Sequence, residues 1–495
     1  MAAPFTFSLI SHTNAGKTTL ARTLLRRDVG EVRDAPHVTL YNESHTLLEA
    51  GGELLRLWDT PGFGDTGRLV KRLRQQKNRI LWLLTQTWDR LTDKPLWCSQ
   101  QALKNVREEA DVVLYLINAG EPPGGAAYVE QEMEILSWLN KPVAALLNQT
   151  GPPRPVAEEM AEVEAWRTEL SRFDCVRAVL PLDAFARCWV QEDQLMDAIA
   201  EVVPNAQRKQ VFGTLQKAWQ SRNLHVFTHS MTVLAELLTA SVLDGVEVKQ
   251  QSTMHTALKL VAGRVTALLP GAVRQKMEVE LDPELAAARD TMVTALAGRI
   301  SKATNELIRL HGLEGESGDR LIEVSRDHFQ TPQRVNESIW GAVGGVAAGA
   351  MAGLWADLHA GGFTMGGGML LGSLGGGVTA YALARGYNLV RGDDSRVHWS
   401  RDHFREQVRL AMLCYLAVAH FGRGRGEWRE STVPEVWDEA VKDVIGYHHA
   451  GWDHVWKMAV EKNSMPDLVH REMSKLLNDS TLAVLRKLYP TVRIG

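Results

Sequence analysis

Cysteine is scarce in this chain. Cys98, Cys175, Cys188 and Cys414 are scattered without metal-ligand spacing, so reduced thiols in a cytosolic protein are expected. Charge of one sign is also lacking. The formal net charge of -4 gives no electrostatic footprint for a nucleic-acid partner. Met1-Ala2-Ala3-Pro4 leads into no basic segment followed by an apolar run, so no secretory signal is expected. Low hydrophobicity is absent too. Apolar residues make up 45% and charged residues 23%, which excludes a disordered chain. With 495 residues, two or three domains are expected.

The first informative stretch is Phe5 to Ile10, short, uncharged and mostly apolar, which reads as a buried strand. It runs straight into Ser11-His12-Thr13-Asn14-Ala15-Gly16-Lys17-Thr18-Thr19. A helical pattern follows, with Leu20, Leu24 and Leu25 on one face and Arg22 and Arg26 on another. Strand, loop, Gly-Lys-Thr and helix is the context of a phosphate-binding loop. Amides around Asn14, Ala15, Gly16 and Thr19 would point at phosphate oxygens. Lys17 would supply positive charge and the Thr18 hydroxyl would join a Mg2+ shell. Ser11 stands where such loops usually begin with Gly.

A second strand, Glu53 to Trp58, ends in Asp59-Thr60-Pro61-Gly62. A carboxylate at a strand end can hold Mg2+ through water, and the Gly62 amide can sense a terminal phosphate. Thr39 lies between the two elements, where a switch threonine would close over the ion. Further strands are expected over 111–118, 141–148 and 176–180. Arg68, Lys71, Arg72, Arg74, Lys77 and Arg79 form a basic run that reads as a solvated helix face.

In order, Asn14-Ala-Gly-Lys-Thr, Asp59-Thr-Pro-Gly and Asn148-Gln149-Thr150-Gly151 resemble the boxes of Era-like, translation-factor-class GTPases. The resemblance implies a mostly parallel α/β P-loop domain, GTP and GDP as ligands, Mg2+ on Thr18, Thr39 and Asp59, and GTP hydrolysis involving Lys17, Thr39 and Gly62. Asn148 and Gln149 fall in the base-reading box, and Asp183 and Ala184 in the final one. Gln149 replaces the usual Lys and Gly151 the usual Asp, so ATP stays open as an alternative to GTP. Phe63 stands where some relatives place a water-positioning Gln, which implies slow turnover. Asn14 matches the residue that holds K+ in several relatives; bracing the loop is the alternative role.

Beyond Pro204 the pattern is helical, over 208–243, 253–269 and 283–312, with no convincing strand set. Leu285, Ala288, Met292, Leu296 and Ile300 make one stripe of the last of these, behind Asp282-Pro283 as a helix start. Ile339 to Ala356 and Phe363 to Ala384 carry no charge. Glycines recur every fourth residue, at Gly341, Gly345, Gly349 and Gly353, then at Gly368, Gly372 and Gly376. Such a face permits close helix pairing in a bilayer, and each run is just long enough to span one. Asp357 and His359 between the runs favour shallow or reversible insertion. The alternative is a hairpin buried in a helical domain.

The expected layout is a P-loop domain over 1–204, a helical domain over 205–338, the Gly-rich hairpin over 339–388 and a helical region over 389–495. His448, His449, Asp453 and His454 cluster among tryptophans and read as packed helix surface, not a metal site. Together with Leu182 to Trp189 and Tyr415 to Gly426, the whole resembles bacterial GTPases with a C-terminal domain of unknown function. Function is accordingly expected to be that of a switch GTPase at the cytoplasmic face of the inner membrane. A nucleotide-driven assembling scaffold and a soluble partner- or ribosome-binding switch are the alternatives.

Overall fold

Strict alternation along β4 (Val112–Asn118) sets the architecture of the N-terminal half. Val112, Leu114 and Leu116 enter one apolar cluster, and Val113, Tyr115 and Ile117 enter another. A strand buried on both faces needs a layer on each side, which is the doubly wound arrangement. The computed structural model describes residues 3–13, 15–26, 41–79, 81–82, 93–151, 153–184, 188–247, 283–313, 389–391, 396–420, 434–461, 464–492 and 494. The chain divides into two compact units, with the boundary falling inside a helix at His225.

The first unit carries a six-stranded sheet in the order β2-β3-β1-β4-β5-β6, with β1 Phe5–Ser11, β2 Glu43–Ala50, β3 Glu53–Asp59, β5 Val143–Asn148 and β6 Val176–Pro181. Only β2 runs antiparallel, against β3. The remaining pairings are parallel. On one face, α2 (Thr66–Arg74), α3 (Lys94–Glu109), α4 (Ala127–Leu139) and α5 (Val156–Leu170) bury Leu69, Leu103, Met133 and Trp166. On the other, α1 (Lys17–Leu25), α6 (Trp189–Val202) and the first part of α7 (Ala206–Val242) bury Leu20, Ile199, Phe212 and Trp219. Burying such large side chains stabilises the unit by about 1.5–3 kcal/mol each. The expected strands all form, shifted by a residue or two at their ends.

The second unit is mainly helical: the rest of α7, α8 (Pro283–Leu310), α9 (Arg401–Ala419), α10 (Glu435–Tyr447), α11 (His449–Val460) and α12 (Pro466–Leu488). In α8 the expected stripe buries Ala288, Met292 and Leu296, while Ile300 is half-exposed. Phe227 meets Tyr415 edge-on, with centroids 5.7 Å apart. One expectation is corrected here. Three short antiparallel strands, β7 (Gly245–Glu247), β8 (Leu389–Arg391) and β9 (Arg396–Trp399), pair in the order β7-β9-β8. Strands this short contain too little alternation to register as a pattern.

Asp453 is occupied by Arg405 and by Arg401, and Trp437 and Trp452 are buried. The hairpin over 339–388, the 253–269 segment and the loop at 423–426 lie outside the described residues. Among the described residues no helix is long and apolar enough to cross a membrane.

Candidate functional site

The order of the sheet puts β3 on one side of β1 and β4 on the other. Ligands of open α/β sheets bind at such a reversal, beyond the carboxyl ends of the strands. The Ser11 to Lys17 turn lies there, at the end of β1. Gly16 caps α1 with φ 88°. That left-handed geometry favours glycine, and a Cβ at Gly16 would lie 2.7 Å from Asn148 Nδ2.

Lys17 is buried, and its Nζ donates to Ser11 Oγ at 2.9 Å. Burial lowers the Lys17 pKa, against the pull of Asp59 and Glu132. Ser11 at the first loop position therefore supplies a partner for the lysine that glycine could not. The Thr18 hydroxyl donates to Asp59 Oδ2 at 2.6 Å. Asp59 is 1% exposed, and its Oδ1 has no hydrogen-bond partner among the described residues. Burial pushes this carboxyl up to about 6, although Thr18 and Lys17 pull it down. A buried acid with an unmatched oxygen, beside a hydroxyl, fits a divalent ion that would supply the missing charge.

Gly62 crowds the same place. A Cβ there would lie 3.0 Å from Thr13 Cα and 3.1 Å from Lys17 Nζ. The chain beyond it is stitched to the loop. Phe63 N donates to Ser11 O at 2.9 Å, and Thr13 Oγ1 donates to Phe63 O at 2.6 Å. The Phe63 ring is fully buried in the apolar cluster that includes Leu69, Leu73 and Leu96. Ala15 and Thr19 are both buried. Asn14 and Thr39 lie outside the described residues.

Two further loops follow β5 and β6, neighbouring parallel strands. Asn148 is fully buried; its Nδ2 donates to Ala15 O and its Oδ1 accepts from Ala184 N, both at 2.7 Å. One side chain thus ties the phosphate loop to both loops. Gln149 has φ 59°, and its Nε2 lies near Gly16. Thr150 donates to Asp183 Oδ2 from its backbone N at 2.7 Å and from its hydroxyl at 3.0 Å. The structure brings Lys17, Thr18, Asp59 and Gly62 together at one end of this arrangement, and Asn148, Gln149, Asp183 and Ala184 at the other.

Comparison with known families gives two matches. Residues 6–149 match the family described as 50S ribosome-binding GTPase. Residues 167–439, more than half of the chain, match the domain of unknown function DUF3482. The chain belongs to the DUF3482 family. Its N-terminal domain is a GTPase domain, in a fold of mostly parallel strands. A comparison with curated proteins finds no match. Among solved structures, an Aquifex aeolicus Era variant bound to GDP and AlF4 is 20% identical, with a TM-score of 0.29; the alignment covers 41% of this chain and 57% of that one. Era in complex with MgGDPNP and a segment of 16S ribosomal RNA gives 19%, 0.30, 42% and 59%. An NFeoB variant of S. thermophilus bound to GDP and AlF4 gives 16%, 0.24, 58% and 91%. The chain spans less than two thirds of either Era structure.

Sequence reading missed one part of the GTPase domain. Beneath the loop, the fully buried Glu132 accepts from Tyr115 OH at 2.6 Å and Thr66 Oγ1 at 3.1 Å, and its Oε1 lies 2.7 Å from His12 Nδ1. His12 stacks on Tyr128 at 4.4 Å. Burial and the Glu132 charge raise the Tyr115 pKa well above its usual value. The available signal was an acid at the apolar spacing of Val129, Met133 and Leu136 on α4. The basic run after Gly62 lies partly on α2 and partly beyond it; Arg68 pairs with Asp93 and Arg74 with Glu134 at the surface.

Proposed function

We propose that this chain is a Mg2+-dependent GTP switch whose nucleotide state controls its helical half. The observation that carries the reading is the convergence of Lys17, Thr18 and Asp59 at the carboxyl ends of β1 and β3, with Asp59 left electrostatically unfinished. Loop amides around Gly16 would cradle the phosphates, and the Lys17 ammonium would lie against their terminal oxygens. Bound Mg2+ would supply the positive charge that offsets charge building on the transferring phosphoryl group. Thr18 and Asp59 would hold that ion, joined by Thr39 from the first switch. Water attacks the γ-phosphorus, the bond to the β-phosphate oxygen breaks, and GDP and inorganic phosphate leave.

With Phe63 buried, position 63 has nothing to orient the water, so intrinsic turnover is slow. A K+ ion near Asn14 would raise it by adding transition-state charge. Self-association would be a second route to acceleration. Loss of the γ-phosphate would release Thr39 and the Gly62 amide, and α2 follows directly from that strand end.

The membrane part of the proposal rests on the uncharged, glycine-spaced sequence over 339–384. That segment would meet the cytoplasmic face of the inner membrane. The family description of residues 6–149 favours a second reading, a soluble ribosome-binding switch. Cell fractionation separates the two. Deletion of 339–384 should abolish membrane recovery under the first reading, whereas recovery with 50S particles and none with membranes supports the second. For the switch itself, GTP turnover should rise with Mg2+ in the wild type and lose that response in Asp59→Asn. An unaltered Mg2+ response would remove Asp59 from the site.

A further inference from the structure

A carboxyl group buried between the phosphate loop and the start of α2 needs a reason to be there. Val129, Met133 and Leu136 lie at helical spacing from Glu132 on α4, and all three are buried and apolar. Exchanging a buried ionic group for apolar packing of similar volume is often neutral or stabilising, so packing alone does not require an acid at position 132.

The geometry of Glu132 is that of a junction. Its Oε1 accepts from Thr66 Oγ1 at 3.1 Å and lies 2.7 Å from His12 Nδ1. Its Oε2 accepts from Tyr115 OH at 2.6 Å. Tyr115 belongs to β4, which is paired with β1 in the sheet. His12 is the second residue of the phosphate loop, and Thr66 is the first residue of α2. One oxygen therefore meets the loop and the helix after Gly62 together, while the other is anchored to the sheet. Glu132 also acts on the loop through space, since its charge supports the Lys17 ammonium against burial.

The segment between Asp59 and Thr66 gives this junction its consequence. Upstream of Gly62, Thr60 Oγ1 donates to Leu9 O at 2.5 Å. Downstream, Gly64 N donates to Ser99 Oγ on α3 at 3.2 Å, and Thr66 reaches Glu132. The Gly62 amide is thus slung between an anchor on β1 and anchors on α3 and α4. A hydrogen bond weakens steeply outside its normal distance and angle, so an amide that must meet a terminal phosphate oxygen depends on where both ends of its segment are held.

We propose that Glu132 is a positioning residue for GTP hydrolysis, which uses one oxygen to hold Thr66 against His12 and so sets the Gly62 amide and the phosphate loop in the register that turnover needs. This rests on the GTPase reading above. It adds a residue that acts through α2 and the loop.

The test is single-turnover GTP hydrolysis by the full chain in Mg2+, with GDP affinity measured by calorimetric titration of the same proteins. Thr66→Val keeps the shape and removes the hydroxyl. It should slow hydrolysis about tenfold and leave GDP affinity within about twofold, because GDP has no terminal phosphate for the Gly62 amide to meet. Thr66→Ser keeps the hydroxyl and should hydrolyse GTP within about twofold of wild type. Glu132→Leu should slow hydrolysis at least as much as Thr66→Val, and adding Thr66→Val to it should cost nothing further. If Glu132→Leu does not fold, the two variants at position 66 decide alone. Hydrolysis at the wild-type rate by Thr66→Val or by folded Glu132→Leu overturns the proposal. So does a Thr66→Ser as slow as Thr66→Val, or a full Thr66→Val effect in the Glu132→Leu background. A merely structural role would lower hydrolysis and GDP affinity in parallel, and that result also overturns it. A wild type that does not hydrolyse GTP overturns the GTPase reading itself.

Discussion

Replacing Asn148 with Ala removes a single side chain that holds three loops. The amide group lies in a fully buried position and makes two bonds of 2.7 Å, to Ala15 O and from Ala184 N. Each lost bond is a net loss of about 1 kcal/mol, and a stranded buried backbone group costs about 1–3 kcal/mol more. With partial relaxation the total is about 2–5 kcal/mol. The loss is local as well as global, because Ala184 N–H has Asn148 Oδ1 as its acceptor.

Two readouts follow. Amide hydrogen exchange at Ala184 should accelerate in Asn148→Ala beyond the change seen across the β4 amides. Urea unfolding followed by circular dichroism should give the stability loss. Gly16 supplies an internal check. Gly16→Ala in the wild type meets Asn148 Nδ2 at 2.7 Å and also a φ of 88°. In the Asn148→Ala background the steric part vanishes and only the left-handed backbone penalty of about 1–2 kcal/mol remains. The double variant should therefore be less unstable than the sum of the two single ones, by about 1–3 kcal/mol. Strict additivity, or unaltered exchange at Ala184, would refute the bracing role of Asn148.

Other expectations are independent of that one. Glu132→Ala leaves the buried Tyr115 hydroxyl without its acceptor and removes a partner from His12 and Thr66, and should cost about 2–4 kcal/mol in urea unfolding, whereas Glu132→Gln, which keeps the shape, should cost less. In the helical unit, burial lowers the His403 pKa from 6.5 to about 4, with the ring stacked on Trp399 at 4.4 Å. The unfolded chain takes up the proton first. Stability is thus intact above about pH 6.5 and falls by about 3 kcal/mol as the pH approaches 4. Thermal melts across that range should show the slope, and His403→Phe should flatten it.

How much of this was legible in the sequence depends on the length over which each signal repeats. The P-loop fold could be read because Phe5 to Ile10, Val112 to Ile117 and Val143 to Leu147 are mostly apolar strands ending in polar turns. The long helices α7 and α8 could be read because a 3.6-residue period persists over many turns. Strands β7, β8 and β9 could not, since three or four residues do not define a period of two. Site residues carried by local spacing, such as Gly16, Lys17 and Thr18, stand out in sequence. Those assembled by packing do not. Glu132 lies more than a hundred residues from His12 in sequence, and only the parallel pairing of β1 with β4 and the packing of α4 join them. Ser11 looked like a departure from the loop pattern. Its hydrogen bond to Lys17 gives that departure a physical reason.

The central claim is that a nucleoside triphosphate sits on the Gly16 turn, with its charge met by Lys17. Titrating GTP into wild type and Lys17→Ala, in Mg2+ and with both proteins shown to be folded, tests it most directly. The account predicts tight binding by the wild type and a loss of about a hundredfold or more in the variant. Equal affinity for the two proteins would contradict it.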